Sequence, residues 1–149
     1  MTHTIDRSAL VWHSAERMYA LVSDIPSYPQ FLPWCSAAEV HAMPAPSEVL
    51  ASLEVAKGGM RQRFTTRNRM DAPKGIVIEL VEGPFQSLQG RWYFEPLDVH
   101  ASKVILELDF KFSGRLAKMA FGTVFNQAAN SLVDAFCQRA DHVYGKARA

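Results

Sequence analysis

The sequence predicts an α+β fold, in which a curved antiparallel sheet wraps around one long C-terminal helix with an apolar cavity between them. Two observations support this prediction. Between about residues 37 and 113, apolar and polar residues alternate with the period of two that is typical of strands. Residues 115–144 then form a continuous segment, roughly 45 Å long if it is helical. The chain has 149 residues, so we expect a single domain over residues 1–149.

Composition and charge narrow the class of protein. Hydrophobic residues make up 48% of the chain and charged residues 21%, as in a globular domain with a substantial core. Lys and Arg number 16 and Asp and Glu 15, which gives a formal net charge of +1. No general attraction to nucleic acid or to an anionic membrane is therefore expected.

The cysteines and the N-terminal residues bear on the location of the protein. Cys35 and Cys137 are far apart and form no C-x-x-C pair, which is typical of a reduced cytosolic protein. The first seven residues lack the apolar run of a signal peptide. No segment has the ~18 consecutive apolar residues of a membrane-spanning helix. We therefore expect a cytoplasmic protein.

The first elements are a strand and a short helix. Residues 4–12 are predicted to form the strand. Ser14 is a good N-cap for a helix that ends near Asp24. Pro26 and Pro29 end that helix and leave room for only one further short turn.

Six more strands follow, separated by residues that favour turns. The short connections between them favour an antiparallel meander. The pair Gly58-Gly59 predicts a two-residue hairpin that places Glu54 opposite Arg63. The predicted strands are residues 37–43, 48–56, 60–70, 75–82, 87–96 and 103–112.

The last strand and the long helix are predicted to face each other. One side of that strand is wholly apolar from Val104 to Phe112, while the other side is mostly charged. Such a sheet needs a cover, and the segment after Gly114 is the only long element that remains. Its apolar residues form a broad stripe, in which residues at every fourth position are flanked by Met119, Phe121, Phe125 and Val133. The residues at every fourth position are Leu116, Ala120, Val124, Ala128, Leu132 and Phe136.

Several sequence blocks carry a resemblance to a known family. Residues 28–35 (YPQFLPWC), 64–68 (FTTRN), 83–85 (GPF), 90–92 (GRW) and 120–125 (AFGTVF) occur in the order found in the coenzyme Q-binding START-like family. This chain resembles that family over essentially its whole length. Residues 7–11 and 14–19 are similar to the opening of one bacterial branch, the ribosome-association toxins.

The resemblance implies a helix-grip fold with a hydrophobic cavity. It also implies non-enzymatic binding of ubiquinone or a related isoprenoid in support of respiratory electron transport, with no cofactor required. The toxin branch implies an alternative function, in which the protein binds the large ribosomal subunit and blocks subunit association. An antitoxin would then be a further partner.

The residues themselves give no sign of catalysis. No metal-binding, phosphate-binding or nucleophile motif occurs in the sequence. Asp141 stands beside His142, but adjacent residues of a helix do not face each other, so we interpret the pair as a solvated helix end. We expect no enzyme activity.

Strand parity and the family match together predict a set of cavity residues. Three of them, Gln62, Thr66 and Asn68, are polar and would bind ligand oxygens, unless strand ends, water or a bulge satisfy them. Gly90 would leave room for a ligand, or would only let neighbouring elements approach closely. The predicted cavity residues are Gln62, Phe64, Thr66, Asn68, Trp92, Phe94, Leu106, Leu108, Phe121, Phe125 and Leu132.

The aromatic loop before the second strand has three interpretations. It would be a lid over the cavity, a tip that contacts the inner membrane transiently to collect a ligand, or a part of the core. Its residues are Tyr28, Phe31, Leu32 and Trp34.

One strand carries four arginines on its outward face: Arg61, Arg63, Arg67 and Arg69. They could contact the phosphates of ribosomal RNA. The simpler hypothesis, which the near-neutral net charge favours, pairs them with Glu54 and Glu79 on neighbouring strands.

Overall fold

The computed structural model describes residues 2–145 and confirms the predicted fold. Each predicted strand is present, with ends within about two residues of the expected bounds. The elements are β1 (His3–Val11), α1 (Ala15–Ser23), a 3₁₀ helix (Ile25–Gln30), β2 (Cys35–Ala45), β3 (Glu48–Lys57), β4 (Met60–Asp71), β5 (Gly75–Glu82), β6 (Phe85–Asp98), β7 (Ala101–Phe112) and α2 (Arg115–Tyr144).

The seven strands form one antiparallel sheet in the order β1-β7-β6-β5-β4-β3-β2. Strands β2 to β7 follow the chain as a meander, whereas β1 pairs with β7 and lies at the opposite edge from β2. The predicted hairpin register is confirmed, because Lys57 pairs with Met60 and Glu54 with Arg63.

Helix α1 begins where its sequence predicts. The Ser14 hydroxyl accepts a hydrogen bond from the Arg17 backbone N–H at 3.2 Å, so it caps the first turn. Met18 and Val22 are one turn apart and fully buried, because this face of the helix packs on the core.

Helix α2 crosses the concave face of the sheet and buries only part of the predicted apolar stripe. Leu116 is 83% exposed, and Ala120 is also exposed. A helix has 3.6 residues per turn, so positions four apart rotate by about 40° at each step, and a strict period of four drifts off the contact face. The residues that α2 buries are Phe121, Gly122, Phe125, Ala128, Ala129, Val133, Phe136 and Ala140.

Aromatic rings fill one end of the space between sheet and helix. Phe85 is at the centre of this cluster, with its ring centroid 4.8 Å from that of Phe125 and 5.6 Å from that of Phe64. Phe112 and Phe121 also contact Phe85. The cluster closes this end of the core, so any internal space must lie toward the middle of α2. Within residues 2–145, no helix is both long and apolar enough to cross a bilayer.

Candidate functional site

A cavity of about 90 Å³ lies between the sheet and the middle of α2. Its walls are apolar except for Thr66 and Asn68 and the polar groups of Tyr28 and Trp34. The residues that line it are Val22, Ile25, Tyr28, Trp34, Ala51, Leu53, Phe64, Thr66, Asn68, Met70, Ile76, Ile78, Leu88, Trp92, Leu106, Leu108, Phe125, Ala128, Ala129, Leu132 and Phe136.

Most of the residues predicted for the cavity are brought together on this wall. They come from β4, β6, β7 and α2, and they are Phe64, Thr66, Asn68, Trp92, Leu106, Leu108, Phe125 and Leu132. Of the four loop residues, Tyr28 and Trp34 also line the cavity.

Three predicted residues lie elsewhere. Gln62 is two positions from the Gly58-Gly59 turn, opposite Val55, and so lies beyond the end of the cavity. Phe94 is fully buried, but it packs edge-on against Tyr19 of α1. Phe121 belongs to the aromatic cluster that closes the core. Strand parity gave the correct side of the sheet for Gln62 and Phe94, but it cannot give the distance along the strand to the cavity.

Several wall residues were missed, although the sequence contained a signal for them. Ala51 and Leu53 pair with Thr66 and Phe64, so the predicted hairpin register already put them on the same face. Ile78 pairs with Asn68 on the other side of β4. Carrying the register across to the neighbouring strands would have identified these residues.

The polar side chains of the cavity are partly satisfied by one another. The Thr66 hydroxyl donates to the Asn68 side-chain oxygen at 2.8 Å, so the Asn68 amide group still has its N–H donors. The Tyr28 hydroxyl donates to the Val22 backbone carbonyl, and burial raises the pKa of that phenol. Tyr28 is therefore a neutral, hydrogen-bonded part of the wall.

Trp34 provides a donor that has no acceptor. Its indole Nε1 is buried and forms no hydrogen bond with any residue from 2 to 145. A buried N–H without a partner costs about 1–3 kcal/mol. A molecule in the cavity that carries an acceptor oxygen could remove that cost.

The aromatic loop packs inward. The centroid of the Phe31 ring lies 5.2 Å from that of Phe136. The guanidinium carbon of Arg139 lies 4.9 Å from the centroid of the same Phe31 ring. Leu32 is 1% exposed and Tyr28 is 8% exposed. In this structure these side chains form core and cavity wall, as the third interpretation predicted.

The small residues of β6 and α2 do not all leave room for a ligand. A Cβ at Gly90 would collide with the backbone carbonyl of Glu107 and with Leu108, so this glycine allows close approach of β6 and β7. Gly122 lies against the Phe112 ring. Ala128 and Ala129, in contrast, border the cavity. The interpretation of Gly90 as room for a ligand was wrong, because the neighbouring strand already occupies that room.

Among residues 2–145, the cavity wall carries no ionisable side chain other than the Tyr28 phenol. Among the described residues that line it, no carboxylate, imidazole, amine, guanidinium or thiol occurs. Within residues 2–145, no three His, Cys, Asp or Glu side chains are grouped as metal ligands would be. The arrangement can bind an apolar molecule and donate hydrogen bonds to it.

The four arginines of β4 are paired with carboxylates, two of which, Glu54 and Glu79, are the ones that the simpler hypothesis named. Arg61 lies 3.6 Å from Glu54, and Arg69 lies 3.2 Å from Glu79. The other two pairs are Arg63 with Glu39 at 2.9 Å and Arg67 with Glu48 at 3.8 Å. Each positive charge on this face therefore has a negative neighbour, which weakens its attraction for phosphates.

Comparisons with known proteins identify relatives of this chain. A family model described as polyketide cyclase / dehydrase and lipid transport matches residues 11–137. The ribosome association toxin RatA of Pseudomonas aeruginosa is 47% identical over 145 residues, which cover 97% of this chain and 100% of that protein. The mitochondrial coenzyme Q-binding protein COQ10 of Drosophila melanogaster is 27% identical over 93% of this chain and 55% of that protein.

Solved structures share the architecture. An aromatase/cyclase from a Streptomyces species, Zhui, has a TM-score of 0.84 and covers 99% of this chain and 100% of its own. Its sequence is 16% identical, so this likeness concerns the fold alone.

Proposed function

The chain belongs to the polyketide cyclase / dehydrase and lipid transport family, and from this premise we propose that it is a non-enzymatic START-like protein that binds a hydrophobic ligand of the isoprenoid quinone class. The observation that carries the proposal is an apolar cavity whose wall includes the unpaired indole N–H of Trp34 and the free amide N–H donors of Asn68. In this proposal the protein supports respiratory electron transport and takes its ligand from the inner membrane during transient contact.

The chemistry of a quinone matches these walls. Its ring and isoprenoid tail are apolar, while its carbonyl oxygens are acceptors without a donor of their own. A carbonyl that reaches Trp34 would satisfy a donor that is otherwise buried without a partner, and one that reaches Asn68 would accept from its amide N–H groups. The distant COQ10 relative, whose name states that it binds coenzyme Q, supports the same ligand class.

The size of the cavity sets a condition on binding. Its volume of about 90 Å³ is smaller than the roughly 300–1,000 Å³ of pockets that enclose drug-sized ligands. Side chains must therefore move when the ligand enters. Leu53, Met70 and Leu132 are half-buried wall residues, and Met70 has a flexible side chain that can adopt new rotamers.

The experiment is a titration with a short-chain ubiquinone, followed by tryptophan fluorescence quenching and native mass spectrometry. Ala129→Leu adds three carbon atoms at the cavity wall and is expected to weaken binding by about tenfold or more. Ala120→Leu makes the same change at an exposed position of α2 and is expected to leave binding unchanged. Circular dichroism would verify that both variants are folded.

Two results would contradict the proposal. One is the absence of any quinone complex with the folded wild-type protein. The other is equal binding by the wild type and the Ala129→Leu variant, which would place the ligand outside the cavity.

A second candidate function, association with the ribosome, is favoured by the relatives. The Pseudomonas aeruginosa protein is named a ribosome association toxin, and the match spans both chains almost completely. In this proposal the protein binds the large ribosomal subunit and blocks subunit association, and an antitoxin is a further partner. Arg61, Arg63, Arg67 and Arg69 remain the candidate RNA contacts, with their paired carboxylates displaced on binding.

Co-sedimentation tests this second candidate. The wild type is expected to sediment with purified large subunits and to reduce the fraction of joined ribosomes. Replacing the four arginines with glutamine removes the charges without placing new carboxylates beside the existing ones. Unchanged sedimentation of that variant would exclude the β4 face, and no sedimentation of the wild type would exclude the function.

A further inference from the structure

A groove lies on the outside of the molecule, away from the cavity, between the edge strand β1 and the C-terminal half of α2. Its volume is about 290 Å³. It is lined by Ala9, Leu10, Val11, Trp12, Asp134, Cys137, Gln138 and Asp141. The function proposed above uses none of these residues.

One wall of the groove is formed by the edge strand β1, whose outer side has no partner strand among residues 2–145. Among residues 2–145, β1 pairs only with β7, so every second residue directs its backbone N–H and C=O away from the sheet. The β1–β7 register runs from His3 to Val11 without a shift. Residues 9–12 are all apolar, and within them there is no charge and no proline.

The opposite edge shows how this protein protects a strand. Strand β2 has three register irregularities against β3 and carries Pro44 near its end. Bulges, prolines and charges are the usual means by which edge strands avoid pairing with other chains. Among residues 2–145, β1 carries the charges of Asp6 and Arg7 but has neither a bulge nor a proline, so its regular and apolar end at residues 9–11 is a difference that needs a reason.

The other wall of the groove gives the charge of its occupant. Asp134 and Asp141 are on the exposed face of α2, and no lysine or arginine is among the described residues that line the groove. Within residues 2–145, Asp134 has no hydrogen bond or ion pair, whereas Asp141 accepts from His13 at 2.8 Å and keeps 45% of its side chain exposed. Leu10 is 73% exposed and Trp12 is 58% exposed on the strand side.

We infer that this groove binds an extended basic segment of a partner protein, which adds to β1 as an eighth strand. Strand addition satisfies the outward backbone groups of β1. Side chains alternate along the added strand, so lysines or arginines on one face meet Asp134 and Asp141, and apolar residues on the other face lie beside Leu10 and Trp12. An RNA or an anionic membrane does not fit, because the groove carries negative charge. A second copy of this chain would bring two acidic grooves together.

The test uses an acetylated, amidated and fluorescently labelled octapeptide in which lysine and valine alternate. Fluorescence anisotropy measures its affinity for the full-length protein. Asp134→Lys is expected to weaken binding by about tenfold or more. Glu82→Lys, which makes the same charge change at an exposed position at the end of β5, is expected to leave the affinity unchanged.

A second peptide separates strand pairing from charge attraction. It has the same sequence, with backbone N-methyl groups on every second residue so that it cannot pair as a strand. We expect it to bind about tenfold more weakly or worse. With the unmodified peptide, hydrogen exchange at the amides of residues 8–11 is expected to slow.

Several results would overturn the inference. These are no binding of the unmodified peptide, equal binding of the N-methylated peptide, and equal effects of Asp134→Lys and Glu82→Lys. A stable dimer of the protein alone that Trp12→Lys dissociates would also overturn it, because the occupant would then be a second copy.

Discussion

The imidazole of His13 lies 2.8 Å from the carboxylate of Asp141, although the two residues are 128 positions apart in the chain. His13 is 2% exposed, and its Nδ1 has no partner among residues 2–145. Its Nε2–H donates to Asp141, because an ionised carboxylate can only accept. This bond joins the segment between β1 and α1 to the last turns of α2, where the Tyr144 ring also lies 5.9 Å from the His13 ring.

Replacing Asp141 should therefore destabilise the protein. Asp141→Ala leaves the buried His13 ring without any hydrogen-bond partner, and we expect the free energy of unfolding to fall by about 1–3 kcal/mol. Urea denaturation measures it. Asp134→Ala is the matched control on the exposed face of the same helix, with an expected change within about 0.5 kcal/mol. Equal effects of the two variants would show that the His13 contact contributes nothing.

Replacing Gly90 and Gly122 with alanine should change the stability of the protein in opposite directions. Gly90→Ala places a Cβ against the backbone carbonyl of Glu107 and should cost about 1–3 kcal/mol. Gly122→Ala makes only ordinary contact with the Phe112 ring at 3.5 Å, and it removes a glycine from a helix interior, which should stabilise by about 0.5–1 kcal/mol. Thermal unfolding of both variants checks the prediction, and a destabilised Gly122→Ala protein would contradict it.

Trp34→Phe should separate ligand binding from stability. The change keeps an aromatic ring on the cavity wall but removes the unpaired indole N–H. We expect quinone affinity to fall by about fivefold to tenfold, while the unliganded protein is not destabilised by loss of a hydrogen bond. Isothermal titration gives the first quantity and urea unfolding the second. Unchanged affinity would show that the ligand oxygens lie elsewhere.

Cys137 should react slowly with alkylating reagents. Burial, together with the negative charges of Asp134 and Asp141, raises the pKa of its thiol to about 11. A negative neighbour disfavours the thiolate, so Asp134→Asn should lower this pKa and speed alkylation at mildly alkaline pH. Mass spectrometry of the labelled peptides measures both rates. Cys35, whose pKa burial also raises to about 11, is the internal control and should not change.

Arg63 should control the titration of Glu39. Its guanidinium donates to the Glu39 carboxylate at 2.9 Å and, with His41 nearby, lowers the pKa of that carboxyl below its ordinary value of 4.5. The lowered pKa means that the interaction contributes to stability above pH 4.5 and is lost as the pH falls through the folded-state value. Arg63→Gln should raise the Glu39 pKa toward 4.5, measured by carbon-13 NMR titration. No change would show that the pair does not persist in solution.

Local patterns predicted the fold well because each one has a local physical cause. The Gly58-Gly59 turn sets the register of β3 and β4, and that register pairs Glu54 with Arg63. The alternation in β7 gives its buried face directly. These features depend on residues a few positions apart, or on one turn between two strands.

The features that were missed depend on distant parts of the chain. The contact of His13 with Asp141 requires knowing how α2 ends beside α1, which no spacing in the sequence encodes. The role of Gly90 depends on the backbone of Glu107 in the next strand. Whether a small residue creates space or is packed tight is decided by its neighbours across the sheet.

The pairing of β1 with β7 has a consequence for synthesis of the chain. Thr4 faces Asp109, so the first strand has no partner until synthesis has reached residues 102–110. The apolar residues 9–12 remain uncovered during that time, and contacts of such long sequence separation form slowly. The nascent protein thus exposes an unpaired apolar strand until β7 has been made. A chaperone that recognises short apolar segments could bind this strand during that time.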